Sequence, residues 1–545
     1  LVRLDPYSRE DVATLFETVR ARIDAPPGTR AFYFPAFEQQ AAAEEAREFL
    51  AARGIEVISA VRWIQGDVCY SSGWALGTLK RFSAGEIQAA YRDGRLRPKD
   101  ILITDGIPAE VPFVSGIVSL VPATPNAHVA ILAQSYGVPF AYLAREEDRV
   151  RAIALAGQRV VLRAYRGFEG CEARIIEVEG RLDETQIAAI LALKELPLLS
   201  IAPTAALGAY SVRVAGLGLE DIRHAGGKAS NYHFLEETIP ESARPALAFT
   251  FDLWNAFLGR TLAEGGTLRQ AITARLEPYG SYPPASVSTL SADLEWVRDL
   301  IRDEEGAAFG EELETAVIAA LKDARFGWDP TARLRFRSST NVEDSEQFTG
   351  AGLYDSYSGC LADDIDDDET GPSACNSGEE DERGVFRAIR RVYASFYNEN
   401  AFLERRRWNV DETKVGMAIL VHPSFPDEIE LANGVATVRR SGEYHDVLFV
   451  TQKGAISVAN PTDGSLPEEV SGSVFGGSAF LILQRSSNLL PLGATVLEWE
   501  TDYRRLAQLL VAVSGAFARE TGLSSFLLDF EYNKTDPGSA LVVKQ

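Results

Sequence analysis

Apolar positions follow two periods along this chain. Arg9–Ile23 carries a helical period, AFYFPAF after it is strand-like, Glu38–Arg53 is a helix rich in Ala and Glu, and IEVISAVRW is strand-like again. That alternation predicts a small α/β unit over residues 1–60. From 61 to 165 the apolar runs shorten to ILIT, GIVSLV, VPFAYL and GQRVVLRAY. Short β-branched runs between turn residues suit buried strands. One helix interrupts them, AHVAILAQSYG, closed by Gly137 with Pro139 just beyond. Residues 166–215 read as a connector holding a helix, DETQIAAILALKEL, capped by Asp183. Residues 216–545 form the largest unit, which opens on a Gly-rich turn and closes on two strand-like runs, SFLLDFEY and ALVVKQ. No internal repeat is present. The architecture expected is a multidomain α/β protein.

Composition narrows the function. The chain has 545 residues, an apolar share of 46% and a net charge of −24. Those values fit a soluble globular protein of several domains. The negative charge disfavours nucleic acid or an anionic membrane as main partner, because polyanions repel. It does not disfavour a nucleotide, which a few cations, backbone N–H groups and a metal ion capture locally. No run reaches the roughly 18 apolar residues of a membrane span, and the start lacks the pattern of a signal segment. The chain begins without Met and stops at Gln545, as a fragment or a trimmed chain would. Its four cysteines, Cys69, Cys171, Cys360 and Cys375, form no CxxC pair. They read as reduced thiols of a cytoplasmic protein rather than a disulfide framework. The acidic stretch Asp363–Glu382 reads as a solvated, mobile loop, with a calcium site as the alternative.

Four places hold chemistry. His128 stands at the predicted start of the helix, after the turn ATPNA, where backbone N–H groups face an anion carried on the ring. Taken alone, such a histidine is more often packed or simply exposed. In GGKASNY, Gly226–Tyr232, paired glycines permit close approach of backbone to phosphate and Lys228 supplies a point charge. RFRSSTNVEDSEQFTGAGLYDSY, Arg335–Tyr357, joins an Arg-Ser-Ser run to a Gly-rich turn. In LLDFEY, Asp529 and Glu531 share one strand face, and Gln545 ends the neighbouring strand. Carboxylate and amide oxygens on adjacent strands suit Mg²⁺ held between protein and nucleotide phosphates.

The order of these parts resembles the phosphoenolpyruvate-utilising dikinase family, which includes pyruvate phosphate dikinase, phosphoenolpyruvate synthase and the glucan water dikinases. GWALGTL, PKDILIT and VPFVSGIVSLVPATPNAHVAILAQSYGVPFAYL resemble its swivelling β/β/α phosphohistidine domain. GGKASNY, the Arg-Ser-Ser stretch and the Asp-x-Glu strand resemble its ATP-grasp nucleotide-binding domain. VYASFYNENAF is similar to a stretch of the glucan water dikinases, and VGMAILVHPSF looks like the strand and hinge that clasp adenine. The resemblance implies His128 as the phosphorylated nucleophile and Arg337 as a catalytic grip on phosphate. It implies ATP held by Lys228, Arg337, Glu531 and Gln545, with Mg²⁺ on Asp529, Glu531 and Gln545. Departures stand at Ala123–Ala127, where the family has Gly-Gly-x-Thr-Ser, at Gln134, where it has Arg, and at Ala455, where it has Glu. The family's Arg on the last strand would fall just past Gln545.

The implied activity is an ATP-dependent dikinase-type phosphotransfer. His128 takes the β-phosphate of ATP, AMP and phosphate leave, and the swivelling domain carries the phosphoryl group to an acceptor. That acceptor is a small molecule or a glucan. Its site lies on a missing N-terminal region, on a separate subunit, or on the large domain. Two alternatives remain open at this point: a nucleotide-binding module whose turnover is lost, and an ATP-grasp ligase. A relay histidine is of no use to a ligase.

Overall fold

The computed structural model describes the chain except residues 1–7, 24–28, 36–39, 59–65, 107–111, 123–128, 130–132, 134–135, 168–169, 195–198, 200, 344–347, 349–352, 367–369, 377, 426, 457, 459–466, 492–493, 536–540 and 545. It is a mixed α/β protein with several sheets. Its residues fall into two compact units, 1–196 with 283–290, and 197–282 with 291–545.

The first unit begins with the helix Arg9–Arg22, whose N-cap Ser8 accepts from Asp11 N. β1 (Phe32–Tyr33) and β2 (Glu56–Val57) pair in parallel. The single helix expected over Glu38–Arg53 is two short ones, Gln40–Glu45 and Arg47–Ala51.

A seven-stranded sheet follows. It holds β3 (Val68–Ser71), β4 (Gly73–Arg81), β5 (Ile101–Thr104), β6 (Gly116–Ser119), β7 (Phe140–Tyr142), β8 (Arg159–Gly167) and β9 (Gly170–Glu177) in the order β3-β7-β6-β5-β4-β8-β9. The strands β4 to β7 run parallel. Parallel strands covered on both faces should be apolar throughout. The apolar parts of β5 and β6 meet that condition: Ile101, Ile103 and Val118 enter one core, while Leu102 and Ile117 enter the other, and only Thr104 and Ser119 at the strand ends are polar. Asp183 caps the helix Glu184–Ala192 through a reciprocal capping box with Gln186.

The second unit holds two antiparallel sheets. One contains β10 (Ser211–Arg213), β11 (Leu247–Phe249), β12 (Leu334–Thr340), β13 (Ser356–Gly359) and β14 (Met417–Pro423), ordered β10-β11-β14-β12-β13. The other contains β15 (Ala432–Ser441), β16 (Tyr444–Lys453), β17 (Glu468–Phe475), β18 (Ser478–Arg485), β19 (Ser525–Lys534) and β20 (Val542–Val543), ordered β18-β17-β16-β15-β19-β20. The helices Ile222–Thr238 and Arg504–Thr521 pack into one apolar core with Val438, Val447, Phe449 and Phe530 of the second sheet. Trp254, Tyr393, Phe396 and Tyr397 build an aromatic cluster nearby, which gives the VYASFYNENAF stretch a packing role.

The cysteines correct the sequence reading. Cys69 is bonded to Cys171, joining β3 to β9, and Cys360 is bonded to Cys375. Residues 102 apart in sequence are brought to a Cα separation of 5.2 Å by the sheet, a proximity that spacing alone does not reveal. The acidic stretch is also more ordered than its composition suggests. Asp363 is buried, and its carboxylate accepts from the backbone N–H groups of Ala374 and Arg383. The Cys360–Cys375 bond closes the same loop. No helix among the described residues is long and apolar enough to cross a membrane.

Candidate functional site

The Gly-rich turn and the Arg-Ser-Ser strand form one structure. The helix Ile222–Thr238 is kinked at Gly226, which has φ 79°. The kink brings the helix against β12. Ser339 Oγ donates to Ala225 O at 2.7 Å and accepts from Ala229 N at 3.0 Å. A side chain at Gly226 would overlap the carbonyl group of Ser339. The glycine therefore serves a left-handed backbone and a close approach between chains at once. Lys228, two residues on, forms an ion pair with Glu343, whose carboxylate also accepts from Thr340 N at 2.7 Å. Asn341 laces the end of β12 to neighbouring segments, donating to Ala202 O and Lys414 O and accepting from Gly416 N.

Strand alternation places Arg335, Arg337 and Ser339 on one face of β12. Arg335 and Arg337 open onto a cavity of about 690 Å³ between the two sheets of this unit. The guanidinium of Arg337 is buried and held on three sides. Nη1 and Nη2 donate to the two carboxylate oxygens of Glu531 on β19, at 3.0 and 2.5 Å. Nε donates to Nε2 of His422 on β14 at 2.9 Å. A bidentate pair with a third bond on the ring nitrogen fixes both the position and the plane of the fork. Burial opposes ionisation of Glu531, but the charge of Arg337 and its hydrogen bonds outweigh that and hold the carboxyl at about 2.

His422 was not singled out by sequence. Burial first, then the adjacent Arg337 charge, press its pKa down to about 3. It is therefore neutral at ordinary pH. Nδ1–H donates to Pro423 O at 2.9 Å, leaving Nε2 as the acceptor that Arg337 needs. The ring stacks on Tyr232 of the kinked helix, with centroids 6.3 Å apart.

A histidine whose folded pKa lies below the ordinary 6.5 supplies stability that is complete above 6.5 and is lost as pH falls toward 3. The melting temperature of the wild type is expected to fall as pH drops below 6.5. His422→Gln, which keeps an acceptor and cannot charge, should flatten that fall. A thermal-melt series against pH checks this, and parallel curves for the two proteins would rule it out.

The sequence-predicted residues do not all converge. Arg337 and Glu531 meet in the cavity. Lys228 lies beyond the end of β12 and does not line it. Asp529 shares a face of β19 with Glu531 but is exposed and outside the cavity lining. Ala455 does line the cavity and offers only a methyl group there. His128, Asn126, Gln134, Gly350, Gly352 and Gln545 lie outside the described residues. Among the described residues, no group of three or more His, Cys, Asp or Glu side chains is placed to hold a metal ion. Besides His422, sequence reasoning missed Arg333, Arg335 and Lys544, all on the cavity wall. The first two were legible, since RLRFR places arginines at period two on one strand face.

Residues 222–454 match the family described as pyruvate phosphate dikinase, AMP/ATP-binding domain. Over these residues, less than half of the chain, the sequence is similar to that dikinase domain. The matched segment starts at the first residue of the kinked helix and includes β12 and β14, but it ends one residue before Ala455 and does not reach β19 with its Asp529 and Glu531. The matched segment thus lines the cavity from both sheets, with Arg337 on β12 and Asn433 on β15, and the carboxylate that clamps Arg337 comes from outside it. No curated protein matches the chain.

Proposed function

We propose that the chain is an ATP-dependent phosphotransferase of the dikinase type. The observation that carries this reading is the coincidence of the dikinase AMP/ATP-binding match with a cavity walled by Arg337. In this reading Arg337, Glu531 and Gln545 hold ATP, and Lys228, outside the cavity lining, reaches its phosphates only on leaving Glu343. Asp529, Glu531 and Gln545 supply hard oxygen donors suited to Mg²⁺. The reading requires Glu531 to serve both the arginine and the metal–nucleotide complex.

The chemistry proceeds by in-line displacement. A ring nitrogen of His128 attacks the β-phosphorus of ATP, the bond from that phosphorus to the α–β bridging oxygen breaks, and AMP leaves. Water then removes the γ-phosphoryl group as inorganic phosphate. The remaining phosphoryl group passes from nitrogen to an acceptor oxygen. Residues 61–165 carry His128 as a swivelling phosphohistidine domain between the nucleotide site in 216–545 and the acceptor, with residues 166–215 as connector. The acceptor is a small molecule or a glucan, bound on another domain, on a separate subunit or on the large domain. Positioning and charge neutralisation supply most of such a rate enhancement.

A second reading rests on Ala455. A methyl group where the family carries a carboxylate fits a nucleotide-binding module with weakened turnover. The adenine nucleotide product separates the readings: AMP for a dikinase, ADP for a kinase or an ATP-grasp ligase, neither for a binding module. Arg337→Ala is expected to weaken Mg·ATP binding about 10- to 100-fold, the worth of a charge-assisted contact. Calorimetry reads this directly, and an unchanged affinity would remove the phosphate from this cavity. As to location, no observation carries the cytoplasmic expectation, and two disulfides suit an oxidising compartment better.

A further inference from the structure

The cations on the cavity wall are not all in direct contact with a carboxylate. Arg333 faces Asp427 at 3.5 Å, and Arg337 is clamped by Glu531. Asp355 takes a hydrogen bond from Asn398 at 3.2 Å. Burial pushes the Glu430 carboxyl up to about 6. Two cations remain. Arg335 donates from Nη1 to Ser358 Oγ at 3.3 Å, and among the described residues no carboxylate lies within ion-pair distance of it. Lys544, which follows β20, is anchored by its backbone N–H to Glu531 O at 2.8 Å. Its ammonium likewise has no carboxylate partner among the described residues.

Both side chains are half-buried, and both line the same cavity as Arg337. Burial first, then the Arg337 charge, bring Arg335 down to about 10 and Lys544 down to about 8. The charge of Arg335 also bears on Lys544. Half-buried cations without counter-ions oppose folding, and proteins ordinarily pair them. Here they flank an ion pair that is already complete, so two cations with no carboxylate in direct contact face the space between the sheets.

We propose that Arg335 and Lys544 are ligands for a polyphosphate chain, and that they set a preference for a nucleoside triphosphate over a monophosphate. This rests on the nucleotide reading above and extends it. Arg337, with its fork fixed by Glu531 and His422, offers an oriented charge, while Arg335 and Lys544 meet the phosphates that AMP lacks. An ammonium and a guanidinium on neighbouring sheets can grip a flexible chain from two sides.

The test is calorimetry of the whole chain, with Mg²⁺, against ATP, AMP and inorganic triphosphate. Arg335→Gln and Lys544→Gln are each expected to weaken ATP and inorganic triphosphate by about tenfold or more, and AMP by less than about threefold. The melting temperature without ligand should not fall, since an unpaired charge is being removed. Arg335→Lys should regain part of the loss. ATP bound by the wild type and by both variants with one affinity would overturn the proposal and leave the nucleotide reading intact. Inorganic triphosphate bound through these two cations, with ATP not bound, would uphold the cation pair and sink the nucleotide reading. A wild type that binds neither would overturn both, and equal losses for ATP and AMP would overturn the preference.

Discussion

A Gly226→Ala chain is expected to lose both the proposed nucleotide site and much of the stability of the unit that carries it. The backbone at Gly226 has φ 79°, a region that L side chains rarely adopt. The added methyl group would also overlap the carbonyl carbon and oxygen of Ser339 in the middle of a sheet. Neither neighbour can yield cheaply. The helix is anchored to Ser339 Oγ on both sides of the kink, and β12 is paired along its length to β14.

Backbone strain and overpacking each cost about 1–3 kcal/mol, and here they act together. A loss of about 4 kcal/mol or more corresponds to a fall in melting temperature on the order of 10 °C for a unit of this size. Gly216→Ala is the control, because a methyl there meets open space. Equal melting temperatures for the two variants would show that the kink is not held as described. ATP binding by Gly226→Ala at wild-type affinity would separate the kink from the nucleotide site.

The second large effect concerns His128. Incubation of the wild type with ATP labelled at the β-phosphate is expected to leave label on the protein. A phosphoramidate loses that label in acid and keeps it in base, whereas a serine ester keeps it in acid. His128→Asn should reduce labelling to background while ATP affinity stays close to the wild type, since the residues proposed to hold the nucleotide lie in 216–545. Asparagine retains a polar group of modest size at the predicted helix start. Gln134 and Ala455 replace charged residues of the family pattern, so labelling is expected to be slow and needs long incubation. Label that persists in the variant would move the nucleophile to another side chain. Absent label in a wild type that binds ATP would favour the non-catalytic module.

Much of the fold was legible because it rests on local rules. The runs ILIT, GIVSLV and VPFAYL became β5, β6 and β7, since strands buried on both faces leave a continuous apolar signature. Asp183 announced its helix because capping is a contact between residues three apart. What stayed hidden depends on distance in sequence. Nothing near Cys69 points to Cys171, and nothing in VHP says that His422 will meet Arg337. The two glycines of GGKASNY were read as freedom to approach phosphate. At Gly226 that freedom is spent on the strand instead, because Ser339 arrives there from more than a hundred residues away. Arg337 was read first as a grip on phosphate, and its buried pairing with Glu531 emerges only when β12 and β19 face each other.

The Cys69–Cys171 bond makes residues 69–171 a covalent ring. A protease that cuts within that ring, including anywhere in the sequence ATPNAH, opens it without releasing a fragment. The nicked protein would migrate as one chain on a non-reducing gel and separate into two pieces once the bond is reduced. A survey of proteolytic sites in the His128 region therefore has to be run under reducing conditions, or cuts at the very segment expected to carry the phosphoryl group will pass unseen.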